Sequence, residues 1–114
     1  MAETSTGVMA VHEKVNEMVR RIVQRFAPDK IILFGSYASG TAGPDSDVDL
    51  LIVMRVDGSK RQRAVELHGL LAGMGVPKDL IVVTPEDCVQ YRDIPGTVIA
   101  FALREGKILY DRAA

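Results

Sequence analysis

The sequence predicts an α/β (α+β) domain, a short mixed β-sheet flanked by helices. Three observations predict it. Apolar residues recur at helical spacing from Val8 to Phe26. Three short runs rich in β-branched residues follow, Lys30–Phe34, Asp47–Val53 and Asp79–Val83. Segments with helix start and stop signals alternate with those runs, the pattern of a sheet with helices packed on it.

In the first helix, Val8, Val11, Val15, Met18, Val19, Ile22, Val23 and Phe26 share one face. Glu13, Lys14, Glu17, Arg20, Arg21 and Arg25 occupy the other. Pro28 stops it. Lys30–Phe34 is the first strand. Ser36–Gly40 makes one or two helical turns, with Gly35 or Ser36 as cap, and Gly40–Pro44 is a loop. Asp47–Val53 is the second strand. From Leu50 on it is apolar on both faces, which predicts a central place in the sheet.

Asp57-Gly58-Ser59 breaks the chain, and Ser59 caps a helix that runs to about Ala72 and ends at Gly73 or Gly75. Asp79–Val83 is the third strand. Thr84-Pro85-Glu86-Asp87 is a helix start, with a Thr cap, Pro at the first position and acids in the first turn. The last helix is expected over Ile94–Leu103, with Pro95 near its start and Gly106 as its C-cap. Lys107–Tyr110 is a short final strand. Ile94, Val98 and Phe101 are either core or interface.

The length of 114 residues suits a single domain over residues 8–114 behind a loose polar tail, residues 1–7. A hydrophobic fraction of 47% with 25% charged residues is that of an ordinary soluble domain. The net charge of −1 gives no broad attraction for nucleic acid, so no stable nucleic-acid binding is expected and nucleotide recognition must be local. Cys88 is the one cysteine, which excludes an internal disulfide or a multi-thiolate metal site and fits a reducing, cytoplasmic setting. His12 and His68 are too far apart in sequence to suggest a zinc site. No apolar run approaches the roughly 18–20 residues of a membrane span, and the N-terminus lacks the basic-then-apolar order of a signal peptide.

Chemistry concentrates in residues 34–50. An apolar run ends in Gly35-Ser36, where a glycine permits positive φ and close backbone approach. Amides at the start of the next helical turn can meet a phosphate, and the Ser36 hydroxyl adds a donor. The loop is neither a P-loop nor the Rossmann glycine fingerprint. Asp47 and Asp49 sit at i and i+2 of the second strand and should share a face, about 6.5–7 Å apart at their α-carbons. Asp79, Ile81 and Val83 share a face of the third. If the two strands are neighbours, Asp79 stands opposite the pair. Three carboxylates on adjacent strands suit two-metal phosphoryl or nucleotidyl transfer with magnesium, one of them also able to take the nucleophile's proton.

The combination Gly35-Ser36-x10-Asp47-x-Asp49, with Asp79 later, resembles the signature of the DNA polymerase beta-type nucleotidyltransferases. The size of the chain and the run Asp45-Ser46-Asp47-Val48-Asp49-Leu50-Leu51 resemble the minimal nucleotidyltransferases, which pair with HEPN partners. The resemblance covers about residues 10–110. It implies a polymerase beta palm-like fold, a triphosphate held by Gly35 and Ser36 with Tyr37 beside them, and Mg2+, two ions, on Asp47 and Asp49 with Asp79 completing the triad. It also implies transfer of AMP from ATP to a protein. In the minimal members that protein is commonly a tyrosine-bearing HEPN ribonuclease toxin, and the transferase is its antitoxin. One departure stands out. Ser39 lies where relatives often carry Arg, as Tyr37 sometimes does, and Lys30, Arg55 or a partner's residue would have to compensate.

Two other functions stay open at the level of sequence: an antitoxin that neutralises its partner by contact alone, and a stand-alone transferase acting on a small molecule. A domain this small offers the latter little acceptor pocket. Tyr37 can stack on a base or pack on the sheet. Arg63-x4-His68 resembles the HEPN nuclease motif, but a HEPN domain is a helical bundle and the predicted strands exclude it. Lys60, Arg61 and Arg63 suit a solvated helix face, and Cys88 a packed thiol.

Overall fold

The computed structural model describes residues 8–114, and the tail expected over residues 1–7 lies outside the described residues. Within them the chain runs α1 (Val8–Phe26), β1 (Lys30–Phe34), α2 (Ser36–Ser39), β2 (Val48–Val53), α3 (Lys60–Leu70), β3 (Lys78–Val83), α4 (Pro85–Tyr91), α5 (Val98–Glu105) and β4 (Lys107–Asp111). The strands form one mixed sheet in the order β3-β2-β1-β4. β1 is antiparallel to both β2 and β4, whereas β2 and β3 are parallel and joined across α3. The doubly apolar β2 is central, as its composition requires.

Side chains alternate across the pleat, so each strand feeds two cores. Ile31, Leu33, Val48, Leu50, Ile52, Leu80 and Val82 face one side. They pack there with Val15, Met18 and Ile22 of α1 and Leu67 of α3. Ile32, Phe34, Leu51, Val53 and Val83 face the other, against Ile99 and Ala102 of α5, with Cys88 and Tyr91 of α4 packed alongside. The polar face of α1 is braced by Arg20 and Arg21, which donate to Glu17 and hold its carboxyl down to about 2.

The helix starts follow from their caps. The Ser59 hydroxyl accepts from the Gln62 amide. Thr84 and Asp87 form a reciprocal capping box, and Lys60 Nζ reaches Asp87 at 2.8 Å. The last helix departs from expectation. It starts at Val98 rather than near Ile94, because the Thr97 hydroxyl accepts from the Ala100 amide and sets the cap there, leaving Pro95 in the preceding turn. At its end, a side chain on Gly106 would meet the Leu33 carbonyl at 2.9 Å, so glycine lets α5 turn directly onto the sheet edge as β4. Among the described residues no helix is long and apolar enough to cross a membrane.

Candidate active site

Strand register brings two of the three predicted carboxylates face to face. Asp49 is paired with Asp79 across the parallel β2–β3 ladder and with Phe34 across the antiparallel β1–β2 ladder. Both aspartates therefore project from the same side of the sheet as Leu51, the side that α4 and α5 partly cover. Asp47 differs from expectation. β2 begins at Val48, so Asp47 is exposed on the loop just ahead of the strand rather than within it. The Val48 amide bonds to the Pro77 carbonyl at 2.9 Å, which ties this strand start to the approach to β3.

The electrostatics register the convergence. The Asp49 carboxyl titrates above its usual value of 3.8, first because it is partly buried, then because Asp79 and Asp47 add negative charge beside it. Among the described residues no Lys or Arg forms an ion pair with any of the three. Nor do three His, Cys, Asp or Glu side chains there gather in the geometry of a metal cage. A set of uncompensated carboxylates is the donor chemistry magnesium takes, with phosphate oxygens and water filling out its shell. Asp47, Asp49 and Asp79 are the residues that would hold such an ion.

Gly35 closes the site from the β1 side. Its φ of 78° and ψ of −154° lie in a region that glycine alone adopts readily. A β-carbon at this position would sit 3.3 Å from Asp49 Cγ and overlap Oδ2. The missing side chain thus leaves a notch filled by the Asp49 carboxylate. Gly35 is also the N-cap of α2, with no side-chain cap bond, so the leading amides of this turn, those of Ser36 and Tyr37, have no partner inside it. Ser36 is half-buried at the mouth of the notch.

Ser39, the position of the absent cation, is engaged within the loop. Its Oγ donates to the Ser36 carbonyl at 3.2 Å and lies 2.8 Å from Thr41 Oγ1. Neither compensating cation suggested by sequence is within reach. Lys30 pairs with Val53, and Arg55 lies beyond it, at the far end of the strands from Asp49, about 13 Å away along β2. The antiparallel hairpin puts the start of β1 at the end of β2, which sequence proximity to the motif does not reveal. Lys78, in register with Val48, is the cation nearest the carboxylates along the ladder, but its Nζ donates to the Val76 carbonyl at 2.9 Å; Lys107 lies on the other flank of β1. It is in register with Leu33 and lines a cleft of about 210 Å3 with Tyr37, His12 and Asn16. Tyr37 packs its ring against the larger core there.

Two features escaped sequence reasoning. Phe34 is buried beside Asp49, and Phe101 of α5 meets it edge-on with ring centroids 6.4 Å apart. The apolar run Lys30–Phe34 reads as a strand, but only the fold shows that α5 lays Phe101 against Phe34. Elsewhere, Arg63 pairs with Glu66 at 3.1 Å, His68 is exposed on α3, and burial raises the Cys88 thiol's pKa, which suits a packed cysteine.

The family model described as the nucleotidyltransferase domain matches residues 13–109. Two curated proteins of Methanocaldococcus jannaschii, both named "Putative protein adenylyltransferase", are similar in sequence. MJ1305 is 37% identical, covering 86% of this chain and 70% of its own. MJ0604 is 36% identical, covering 89% and 95%. Solved structures share the fold at lower identity. A "putative nucleotidyltransferase" from Sulfolobus solfataricus superposes with a TM-score of 0.61 at 18% identity, over 91% of this chain and 88% of that one. A mutant of the toxin–antitoxin MntA-HpeT gives 0.59 at 20% over 84% and 72%, and a toxin–antitoxin with AMP-PNP gives 0.52 at 21% over 87% and 72%. With the glycine turn, the paired aspartates and the four-stranded mixed sheet, these similarities make the chain a member of the nucleotidyltransferase domain family, a minimal nucleotidyltransferase of polymerase beta-like fold.

Proposed function

We propose that this chain is a magnesium-dependent adenylyltransferase. It moves AMP from ATP to a tyrosine of a helical, HEPN-type ribonuclease toxin, and so acts as that toxin's antitoxin. The observation that carries the reading is the Asp49–Asp79 pair with Gly35 closed against it. The curated relatives are named for protein adenylyl transfer, and two structural neighbours are toxin–antitoxin complexes, one holding an ATP analogue. In the other, the mutant substitutes Glu for two aspartates spaced i and i+2, the spacing of Asp47 and Asp49.

In this reading Gly35 and the Ser36 amide and hydroxyl bind the β- and γ-phosphates. Asp47, Asp49 and Asp79 would hold Mg2+, which when bound neutralises charge on the phosphates. The acceptor hydroxyl oxygen bonds to the α-phosphorus, the bond from that phosphorus to the α–β bridging oxygen breaks, and diphosphate leaves. The acceptor's proton passes to Asp79, the most exposed carboxylate of the facing pair. Residues 8–114 are the catalytic domain, and the acceptor comes on a separate protein.

The test is transfer of label from α-phosphate-labelled ATP to a co-expressed HEPN-type protein. Wild type labels the partner with magnesium present, and Asp47→Asn with Asp49→Asn abolishes labelling. Persistent labelling by the double variant would refute the site. A wild type that silences its partner without ever labelling it would establish neutralisation by contact instead.

A further inference from the structure

We propose that the exposed ring of Phe101 is the platform on which the nucleobase of the substrate stacks. This rests on the nucleotidyl-transfer reading above and adds to it the residue that grips the nucleoside.

The chain has six aromatic rings, three Phe and three Tyr, with no Trp. Five are buried or half-buried. Phe26, Tyr37 and Tyr110 pack on the α1 side of the sheet, away from the carboxylates. Phe34 is buried in the core on the carboxylate side, and Tyr91 of α4 is half-buried against that core. Phe101 alone is exposed, at 44%, although it is large, apolar and in contact with that same core. Val98, three residues earlier on the same helix face, is 41% exposed and extends the ledge. The ledge is continuous with the site: Phe101 touches Phe34, and Phe34 is the direct cross-strand neighbour of Asp49.

Reaction geometry decides what the ledge holds. In an in-line displacement the acceptor oxygen enters opposite the departing diphosphate. The diphosphate is on the Gly35–Ser36 turn at the end of β1, so the acceptor enters from the β3 side, past Asp79. Phe101 lies against β1, on the diphosphate side of the carboxylates, where an acceptor side chain has no line of attack. The nucleoside is not bound by that axis. Its base can turn down onto an apolar surface beside the α-phosphate, and an exposed aromatic face with an aliphatic neighbour is the surface that stacking requires. Stacking accepts any base, so Phe101 supplies affinity for nucleosides as a class and leaves the choice among them to polar contacts.

Equilibrium binding of AMP-PNP and of inorganic tripolyphosphate, each with magnesium, tests this on wild type, Phe101→Ala and Phe101→Trp. Tripolyphosphate has the substrate's three-phosphate chain and no base. Phe101→Ala is expected to weaken AMP-PNP by roughly 5- to 150-fold while leaving tripolyphosphate unchanged. Phe101→Trp is expected to bind AMP-PNP at least as well as wild type. Equal loss of both ligands in Phe101→Ala would mean a merely structural role and overturn the proposal. Unchanged AMP-PNP affinity would overturn it too, and if capture of the helical partner were lost at the same time, the ledge would be a protein-docking surface. A wild type that binds neither ligand would reject the nucleotidyl-transfer reading itself, and a wild type that binds both equally would reject only the stacking.

Discussion

Gly35 and Asp49 interlock. The carboxylate of Asp49 occupies the space where any other residue at position 35 would carry its β-carbon, and the backbone of Gly35 holds a positive φ that favours glycine. Gly35→Ala therefore meets both a steric and a conformational penalty. It should cost about 1–3 kcal/mol of stability by denaturant melts and lower nucleotidyl transfer on the order of 100-fold by displacing Asp49. The double variant Gly35→Ala, Asp49→Ala should recover part of the stability and none of the activity, with a coupling of roughly 0.5–3 kcal/mol.

Asp49 is a carboxylate whose charged form the fold disfavours. Its pKa lies above the ordinary 3.8 in the native chain, through burial and then the charges of Asp79 and Asp47. The sign follows: the unfolded chain gives up this proton first, so stability falls as pH rises from 3.8 through the raised native value and stays lower above it. Asp49→Asn should thus raise the melting temperature at neutral pH without divalent cations. The gain should fade as pH falls through the raised native value and 3.8, and be gone about one unit below 3.8, where both states are protonated. Thermal melts across pH check this, and a destabilised Asp49→Asn at neutral pH would contradict it.

Magnesium should reverse that penalty. An ion that binds only the folded chain stabilises it by about 2.7 kcal/mol at 100 times its dissociation constant. Wild type should show a magnesium-dependent rise in melting temperature, and the pair Asp47→Asn, Asp49→Asn should show none.

Thr84 offers a control far from the chemistry. It caps α4 just after Val83, which pairs with Val53 at the end of the ladder remote from Asp49. Thr84→Ala should cost about 1 kcal/mol, a shift of about 4–8 °C for a domain of about 100 residues. Transfer assayed well below the melting temperature should be unchanged.

Much of this architecture was legible in residue order, because caps and apolar periodicity are local. The bounds of α1 and β1 and the caps at Ser59 and Thr84 all follow from neighbours a few positions away. The facing of Asp49 and Asp79 was legible only as a condition, since which strands lie adjacent depends on the α3 crossover. The i, i+2 pattern continues naturally back from Asp49 and puts Asp47 in the strand, whereas ladder pairing starts at Val48. Pro95 is a good first-turn residue and points to an earlier start for the last helix, but the Thr97 hydroxyl offers the better cap. Lys30 and Arg55 were plausible counter-cations by sequence distance, and the hairpin carries them to the wrong end. The setting of Phe101 depends on the angle at which α5 crosses the sheet, which no local pattern encodes.

The parallel pairing of β2 with β3 carries a practical consequence. Gly35, Asp47 and Asp49 all belong to a local hairpin, while Asp79 arrives only after the excursion through α3. The exposed bend at Asp57 and Gly58 lies between them. A chain cut there yields one fragment with the turn and two carboxylates and another with the third, neither competent alone. Mixed, they would regain transfer only by rebuilding the β2–β3 seam, which makes this small fold a candidate split reporter whose signal is its own chemistry.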